Sequence, residues 1–158
     1  MKVSVIIPVL NEENYIVDLL VCLKKQDFDN EEVEYLFMDG GSTDKTNELI
    51  QKHSELAHYS IIPNPNRTQA WAMNTGLEHA RGEIIIRMDA HALFPANYIS
   101  ECVKALESGL GNNVGGYAIT KGKGPLGEVI AKLLSSKFGV GNSTFRTSVE
   151  SGEVDTVP

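Results

Sequence analysis

Two aspartates in this sequence stand where hydrophobic runs end, and both could do chemistry. Asp89 follows Glu83-Ile-Ile-Ile-Arg-Met88 and is separated from His91 by one alanine. If the backbone stays extended there, both side chains point the same way. A carboxylate and an imidazole so placed can share a divalent cation, with a diphosphate oxygen completing its coordination. The imidazole nitrogen tilts the choice between Mn2+ and Mg2+ modestly towards manganese. Asp39 closes Val33-Glu-Tyr-Leu-Phe-Met38 and precedes Gly40 and Gly41, which allow a sharp turn and close approach of a ligand. A carboxylate only accepts hydrogen bonds, so Asp39 suits an N–H donor such as N3–H of uracil. Arg67 is the best-placed cation for a base, ribose or phosphate.

Each of these has a plainer reading when taken alone. Asp-x-His can be an aspartate starting a turn beside a surface histidine, Asp-Gly is a common turn, and Arg67 can be an ordinary surface arginine. Tyr15 and Trp71 read as core or rim packing, not as stacking platforms. The elements around these residues give them weight.

Residues 3–9 form a near-continuous apolar run, as a strand buried on both faces would. Ile16, Leu19, Leu20 and Leu23 follow at helical spacing. A second strand over 33–38 leads to Asp39, then to Ser42, Thr43 and Asp44 as capping oxygens for a helix carrying Leu49, Ile50 and Leu56. A short third strand, 59–62, stops at Pro63-Asn-Pro-Asn66. Thr68 can cap the next helix, whose Ala70, Met73, Leu77 and Ala80 share a face, with Gly82 at its exit. A fourth strand spans 83–88, and Pro95 opens a helix with Ile99, Val103 and Leu106 inside. Residues 114–119 read as a fifth strand and 126–137 as a short helix with Leu126, Val129, Ile130 and Leu133. From 139 onward no helical period is visible.

Strands alternating with helices predict an α/β domain, a mainly parallel sheet with helices on both faces. Ligands of such sheets bind at the carboxyl ends of the strands. Three of those ends are polar here: Asn11-Glu12, Asp39-Gly-Gly-Ser42 and Asp89-Ala-His91.

The 158 residues suffice for one domain with a real core, and 42% hydrophobic with 22% charged residues is a globular composition. A net charge of −7 excludes non-specific attraction to nucleic acid or an anionic membrane. An anionic ligand must therefore be held by local donors or a metal ion. Cys22 and Cys102 read as two ordinary buried thiols in a reducing compartment. No cleavable leader is recognisable, and no stretch approaches the roughly 18 apolar residues of a membrane span, so the expectation is a soluble, cytoplasmic chain. Asn142-Ser143-Thr144 fits a glycosylation sequon by chance. Gly122-Lys-Gly-Pro-Leu-Gly127 matches G-x-G-x-x-G, but not at a first strand-helix turn, and no strand ends near 147 to supply the acid, so dinucleotide binding is set aside.

Together, Val5-Ile-Ile-Pro-Val-Leu-Asn-Glu12, Asp39-Gly-Gly-Ser-Thr-Asp44, Asn74-Thr-Gly76 with Ala80-Arg-Gly-Glu83, and Met88-Asp-Ala-His91 resemble the family 2 glycosyltransferases, inverting enzymes with the GT-A (Rossmann-like) fold. The resemblance covers residues 1 to about 120, and the 139–158 stretch is similar to members that build exopolysaccharides. It implies a nucleotide-sugar donor, a saccharide or lipid-linked acceptor, and a divalent metal, Mn2+ or Mg2+. It implies that Asp39 binds uracil, that Pro8 and Glu12 line the nucleotide pocket, and that Arg67 contacts the nucleotide. Asp89 and His91 would stand for the family's Asp-x-Asp metal motif, with His at the third position departing from it.

The domain reading that follows is a donor-binding core over 1–120 and the start of an acceptor-side region over 121–158. The family's base usually sits in a Glu-Asp pair well beyond the metal motif, and this sequence has none; Glu150, Glu153 and Asp155 do not match it. The expectation is an N-terminal portion of a longer enzyme, at the inner face of the cell membrane only through parts absent here. Two other readings stand beside it. One is a nucleotide-sugar-binding module without catalysis. The other is a nucleotidyltransferase, whose usual basic Gly-rich first loop is replaced here by Asn11-Glu12-Glu13.

Overall fold

The computed structural model describes residues 1–109, 111–122, 124–140, 143–147, 152 and 154. The chain divides into two compact units, Met1–Val103 and Lys104–Pro158.

The first unit is built on four parallel strands: β1 (Val3–Val9), β2 (Val33–Asp39), β3 (Tyr59–Pro63) and β4 (Ile84–Arg87). They lie in the order β3-β2-β1-β4. In β1 the odd residues Val3, Val5, Ile7 and Val9 point into the larger core, and Ile6 points into a second one. The parallel register pairs Val3 with Val33 and with Ile84, so the same alternation runs across the sheet. This is why the central strands read as unbroken apolar runs.

Helices α1 (Ile16–Lys24), α2 (Thr46–His53) and α4 (Tyr98–Glu107) bring Leu19, Ile50 and Ile99 to the odd face. Helix α3 (Gln69–His79) brings Ala72 to the other. The handedness rule explains the sides. The connections β1→β2→β3 step one way across the sheet, whereas β3→β4 steps back over it. Right-handed crossovers must then lie on opposite faces. The reversal leaves a switch point between β1 and β4, where such sheets open a crevice.

Pro8 helps to open it. Met88 N–H donates to the Ile6 carbonyl at 3.1 Å, and Gly40 N–H donates to the Val9 carbonyl. Even residues of β1 therefore bond towards β4 and odd ones towards β2. Pro8 faces β4 without an N–H to offer, and the β1–β4 ladder ends at the Ile6–Arg87 pair.

Several expectations need correction. Helix α3 buries Ala72 and Gly76; Met73 and Ala80 pack against the same core, partly buried, as expected, while Ala70 and Leu77 are exposed. The helix sits so close to the sheet that a Cβ on Gly76 would lie 2.7 Å from Ile6 Cγ2. Small residues, not the largest apolar ones, mark its inner face. Gly82 does not cap α3; a Cβ there would meet the Ser4 backbone nitrogen at 2.5 Å, so its role is close approach to β1. Leu56 is buried but follows α2 instead of belonging to it. Helix α4 begins three residues after Pro95, whose carbonyl accepts from Tyr98 N–H. Cys22 and Cys102 are free thiols as expected, but only partly buried.

In the second unit, residues 114–119 form no strand. Helix α5 spans Gly124–Leu134, and two four-residue helices, α6 (Lys137–Val140) and α7 (Thr144–Thr147), follow where no helical period was legible. Leu126, Val129, Ile130 and Leu133 on α5 are exposed. Among the described residues, no helix is long and apolar enough to cross a membrane.

Candidate functional site

The cleft lies over the carboxyl ends of the strands, within the first unit. Pro8 and Glu12 come from β1 and its loop, Arg67 from the β3–α3 loop, and Asp89 and His91 from the end of β4; all five line it.

The loops that follow β1 and β2 are laced together beside it. Asn11 N–H donates to Ser42 Oγ (3.0 Å), and Asn11 Oδ1 accepts from Thr43 N–H (2.8 Å). Glu12 N–H donates to Thr46 Oγ1 at 2.7 Å, and Glu13 N–H to Asp44 Oδ2 at 3.1 Å. Asp44 also accepts from the Thr46 N–H and hydroxyl, so it serves the start of α2 although the formal cap position is Lys45. Burial alone would raise the Asp44 carboxyl, but the Thr46 bonds outweigh it and hold it below its ordinary value. Asn11 (φ 55°) and Arg67 (φ 56°) both adopt left-handed backbone, rare outside glycine. Such strain gathers at binding loops whose surroundings over-determine them.

Asp39 ends β2 beside the cleft. Its neighbours Met38 and Gly40 line the cleft, and Asp39 itself is not among the lining residues. Its Oδ1 accepts from Ser42 N–H at 2.9 Å, and its Oδ2 from Asn47 Nδ2 at 2.8 Å. Partial burial pushes the carboxyl up, but the donors from Asn47, Ser42 and Gly41 overcome this and leave it below its usual range. Asp39 is thus ionised at neutral pH. The guanidinium of Arg67 lies against Gly41, whose φ of 84° only glycine adopts readily.

The backbone after β4 is not extended. Ala92 N–H donates to the Asp89 carbonyl at 3.1 Å, closing a turn. Asp89 and His91 are therefore bonded to different partners. Asp89 is held by Arg87 and by Gln69 Nε2, which donates at 3.2 Å. His91 Nδ1 lies 3.1 Å from Glu12 Oε1, and the Tyr15 ring meets the imidazole edge-on at 6.4 Å. Tyr15 and Trp71 are both half-exposed, so neither is core.

Among the described residues, no three His, Cys, Asp or Glu side chains converge as a ready-made metal cage. A carboxylate and an imidazole on one cleft wall still fit a cation that takes most of its oxygens from a phosphate ligand and water, the usual habit of Mg2+ at substrate sites. The tail acids Glu150, Glu153 and Asp155 lie outside the described residues.

Sequence reasoning passed over Gln69, Arg87 and Asn64. Asn64 is 3% exposed and lines the cleft, its Nδ2 donating to the Thr68 carbonyl at 3.0 Å. Arg87 carried a signal: a cation two residues before Asp89, at the end of a strand that leads to the cleft. Asn64 and Gln69 carried none beyond their place around the Thr68 cap, which accepts from Trp71 N–H as expected.

An open parallel sheet with a polar crevice at its switch point defines a ligand-binding α/β domain with the GT-A fold. Residues 4–140 match the model of glycosyl transferase family 2, and the chain belongs to that family. It is 30% identical over 149 residues to the succinoglycan biosynthesis protein ExoA of Rhizobium meliloti, covering 90% of this chain and 44% of ExoA. The structure superposes on S. aureus TarS 1–349 in complex with UDP with a TM-score of 0.62 at 25% identity, over 76% of this chain and 39% of TarS. It superposes on the mannosyltransferase PcManGT of Pyrobaculum calidifontis, in complex with GDP-Man and Mn2+, with a TM-score of 0.64 at 31% identity, over 76% of this chain and 35% of that enzyme. The chain thus spans less than half the length of each of these relatives.

Proposed function

We propose that this chain binds a nucleoside diphosphate sugar, with uridine as the nucleoside, together with a divalent cation, for inverting transfer of the sugar to a saccharide or lipid-linked acceptor. The observation that carries the reading is the grouping of Pro8, Glu12, Arg67, Asp89 and His91 around one crevice at the strand ends, with ionised Asp39 beside it. The complexes of TarS with UDP and of PcManGT with GDP-Man and Mn2+ support it. In this reading residues 1–120 hold the donor and 121–158 begin the acceptor side. The enzyme works in the cytoplasm, at the inner face of the membrane in its full-length form.

The roles follow from the chemistry of the side chains. Asp39 accepts the base N–H, and Arg67 donates to the nucleotide. Asp89 and His91 hold Mn2+ or Mg2+, which when bound neutralises charge on the departing diphosphate. Pro8 and Glu12 wall the pocket. The acceptor hydroxyl attacks the anomeric carbon, its bond to the sugar forming as the bond to the diphosphate oxygen breaks, and a base takes the hydroxyl proton.

A thermal-shift panel of UDP, GDP, UDP-glucose and NAD, each with and without Mn2+, tests this. A ligand at about one hundred times its Kd stabilises by about 2.7 kcal/mol, a shift of a few degrees at this size. The expected result is a Mn2+-dependent shift with UDP that Asp89→Ala abolishes, and weakened uridine preference in Asp39→Ala. No metal-dependent shift with any nucleoside diphosphate rejects the proposal.

A further inference from the structure

Asp89 is already occupied by a cation of the protein's own. Arg87 Nε lies 3.0 Å from Asp89 Oδ1, and one terminal nitrogen reaches Oδ1 at 2.9 Å and Oδ2 at 3.0 Å. Gln69 adds a third donor on Oδ1. The pair sits where the strand ends: Arg87 is the last residue of β4 and Asp89 follows two residues on, within reach of its guanidinium. The other residue read as a ligand is also engaged, His91 with Glu12. The cleft therefore holds its acids in internal pairs and not as open ligands.

We infer that Arg87 is an internal counter-ion that occupies Asp89 until a diphosphate arrives, and that it couples cation binding to diphosphate binding in this cleft. The inference rests on the reading of Asp89 as a metal ligand. A guanidinium does not lose its proton in a protein, so it cannot simply discharge when a divalent cation approaches. A cation alone must displace Arg87 from the carboxylate or accept a positive charge beside it. A diphosphate changes that balance, because its oxygens offer the planar fork an alternative bidentate partner. Arg87 then turns from Asp89 to the ligand, and the carboxylate becomes free to bind the cation. Binding free energies are reciprocal, so each ligand tightens the other by the same factor.

The test titrates Mn2+ into the full chain, alone and with saturating UDP, following free Mn2+ by electron paramagnetic resonance. Arg87→Met, which keeps the apolar stem, is expected to bind Mn2+ alone roughly five- to tenfold more tightly than the unmodified chain. The factor by which UDP tightens Mn2+ should shrink correspondingly. Arg87→Lys, which keeps the charge and loses the fork, should fall between the two, and it carries the test if Arg87→Met does not fold. Mn2+ affinity and UDP coupling unchanged in both variants, with Asp89→Ala abolishing Mn2+ binding, overturn the role of Arg87 and leave the metal site standing. Mn2+ binding that survives Asp89→Ala overturns both.

Discussion

Glu34 sits near the start of an apolar strand, yet its side chain is only 3% exposed. It accepts from the Ser4 hydroxyl at 2.6 Å, from Arg81 N–H at 2.7 Å and from Arg81 Nε at 2.9 Å, while Ser4 Oγ accepts from Gly82 N–H. This cluster pins the turn between α3 and β4 to the starts of β1 and β2, the end of the sheet opposite the cleft. Burial raises the Glu34 carboxyl, but the Ser4 and Arg81 bonds outweigh it and set it below its ordinary 4.5. The native state then holds fewer protons than the unfolded chain just below that value. Its contribution to stability is complete above about pH 4.5 and is lost as pH falls through the lowered folded value. We expect Glu34→Gln to cost about 1–3 kcal/mol at pH 7. Urea denaturation between pH 7 and pH 3 checks it: the difference from the unmodified chain should narrow towards the acid end, and a constant difference contradicts the assignment.

At the scale of elements, the strands were the most legible part of the sequence, because β1 and β2 are buried on both faces and leave unbroken apolar runs. Helix α1 was equally plain, with Ile16, Leu19, Leu20 and Leu23 all buried. Helix α3 was misread for a physical reason. Periodicity finds large apolar side chains, whereas the contact here requires their absence at Ala72 and Gly76. Val114-Gly-Gly-Tyr-Ala-Ile119 has the composition of a strand, but it forms none. The two glycines offer different tests of close packing. A Cβ at Gly76 would press on the Ile6 side chain, which can give, whereas one at Gly82 would press on the Ser4 backbone, which cannot. Gly76→Ala should therefore cost about 1–3 kcal/mol, less in an Ile6→Ala background, and Gly82→Ala should cost more. Denaturation of the unmodified chain, Gly76→Ala, Ile6→Ala and the double variant as a double-mutant cycle measures the coupling; a Gly82→Ala chain as stable as Gly76→Ala would count against backbone approach as the reason for this glycine.

Over the whole molecule, the cleft was legible as a convergence of three strand ends, but its internal pairing was not. Spacing put Asp89 and His91 on one pleat; the Asp89–Ala92 turn separates their partners, and no pattern in the sequence announces a bond between residues as distant as Glu12 and His91. Both buried clusters lie wholly within Met1–Val103, and so do all the cleft residues named above. A unit with its own core and its own site should fold and bind without the second. We expect a chain ending at Gly109, which keeps α4 intact, to melt cooperatively within about 5 °C of the full chain. It should retain the UDP- and Mn2+-dependent shift, because a ligand stabilises whichever folded unit holds its contacts. Calorimetry of both chains decides the matter. Broad, non-cooperative melting of the shorter one would mean that residues 110–158 supply part of the first unit's stability, and cooperative melting without a ligand shift would mean that they are needed for binding.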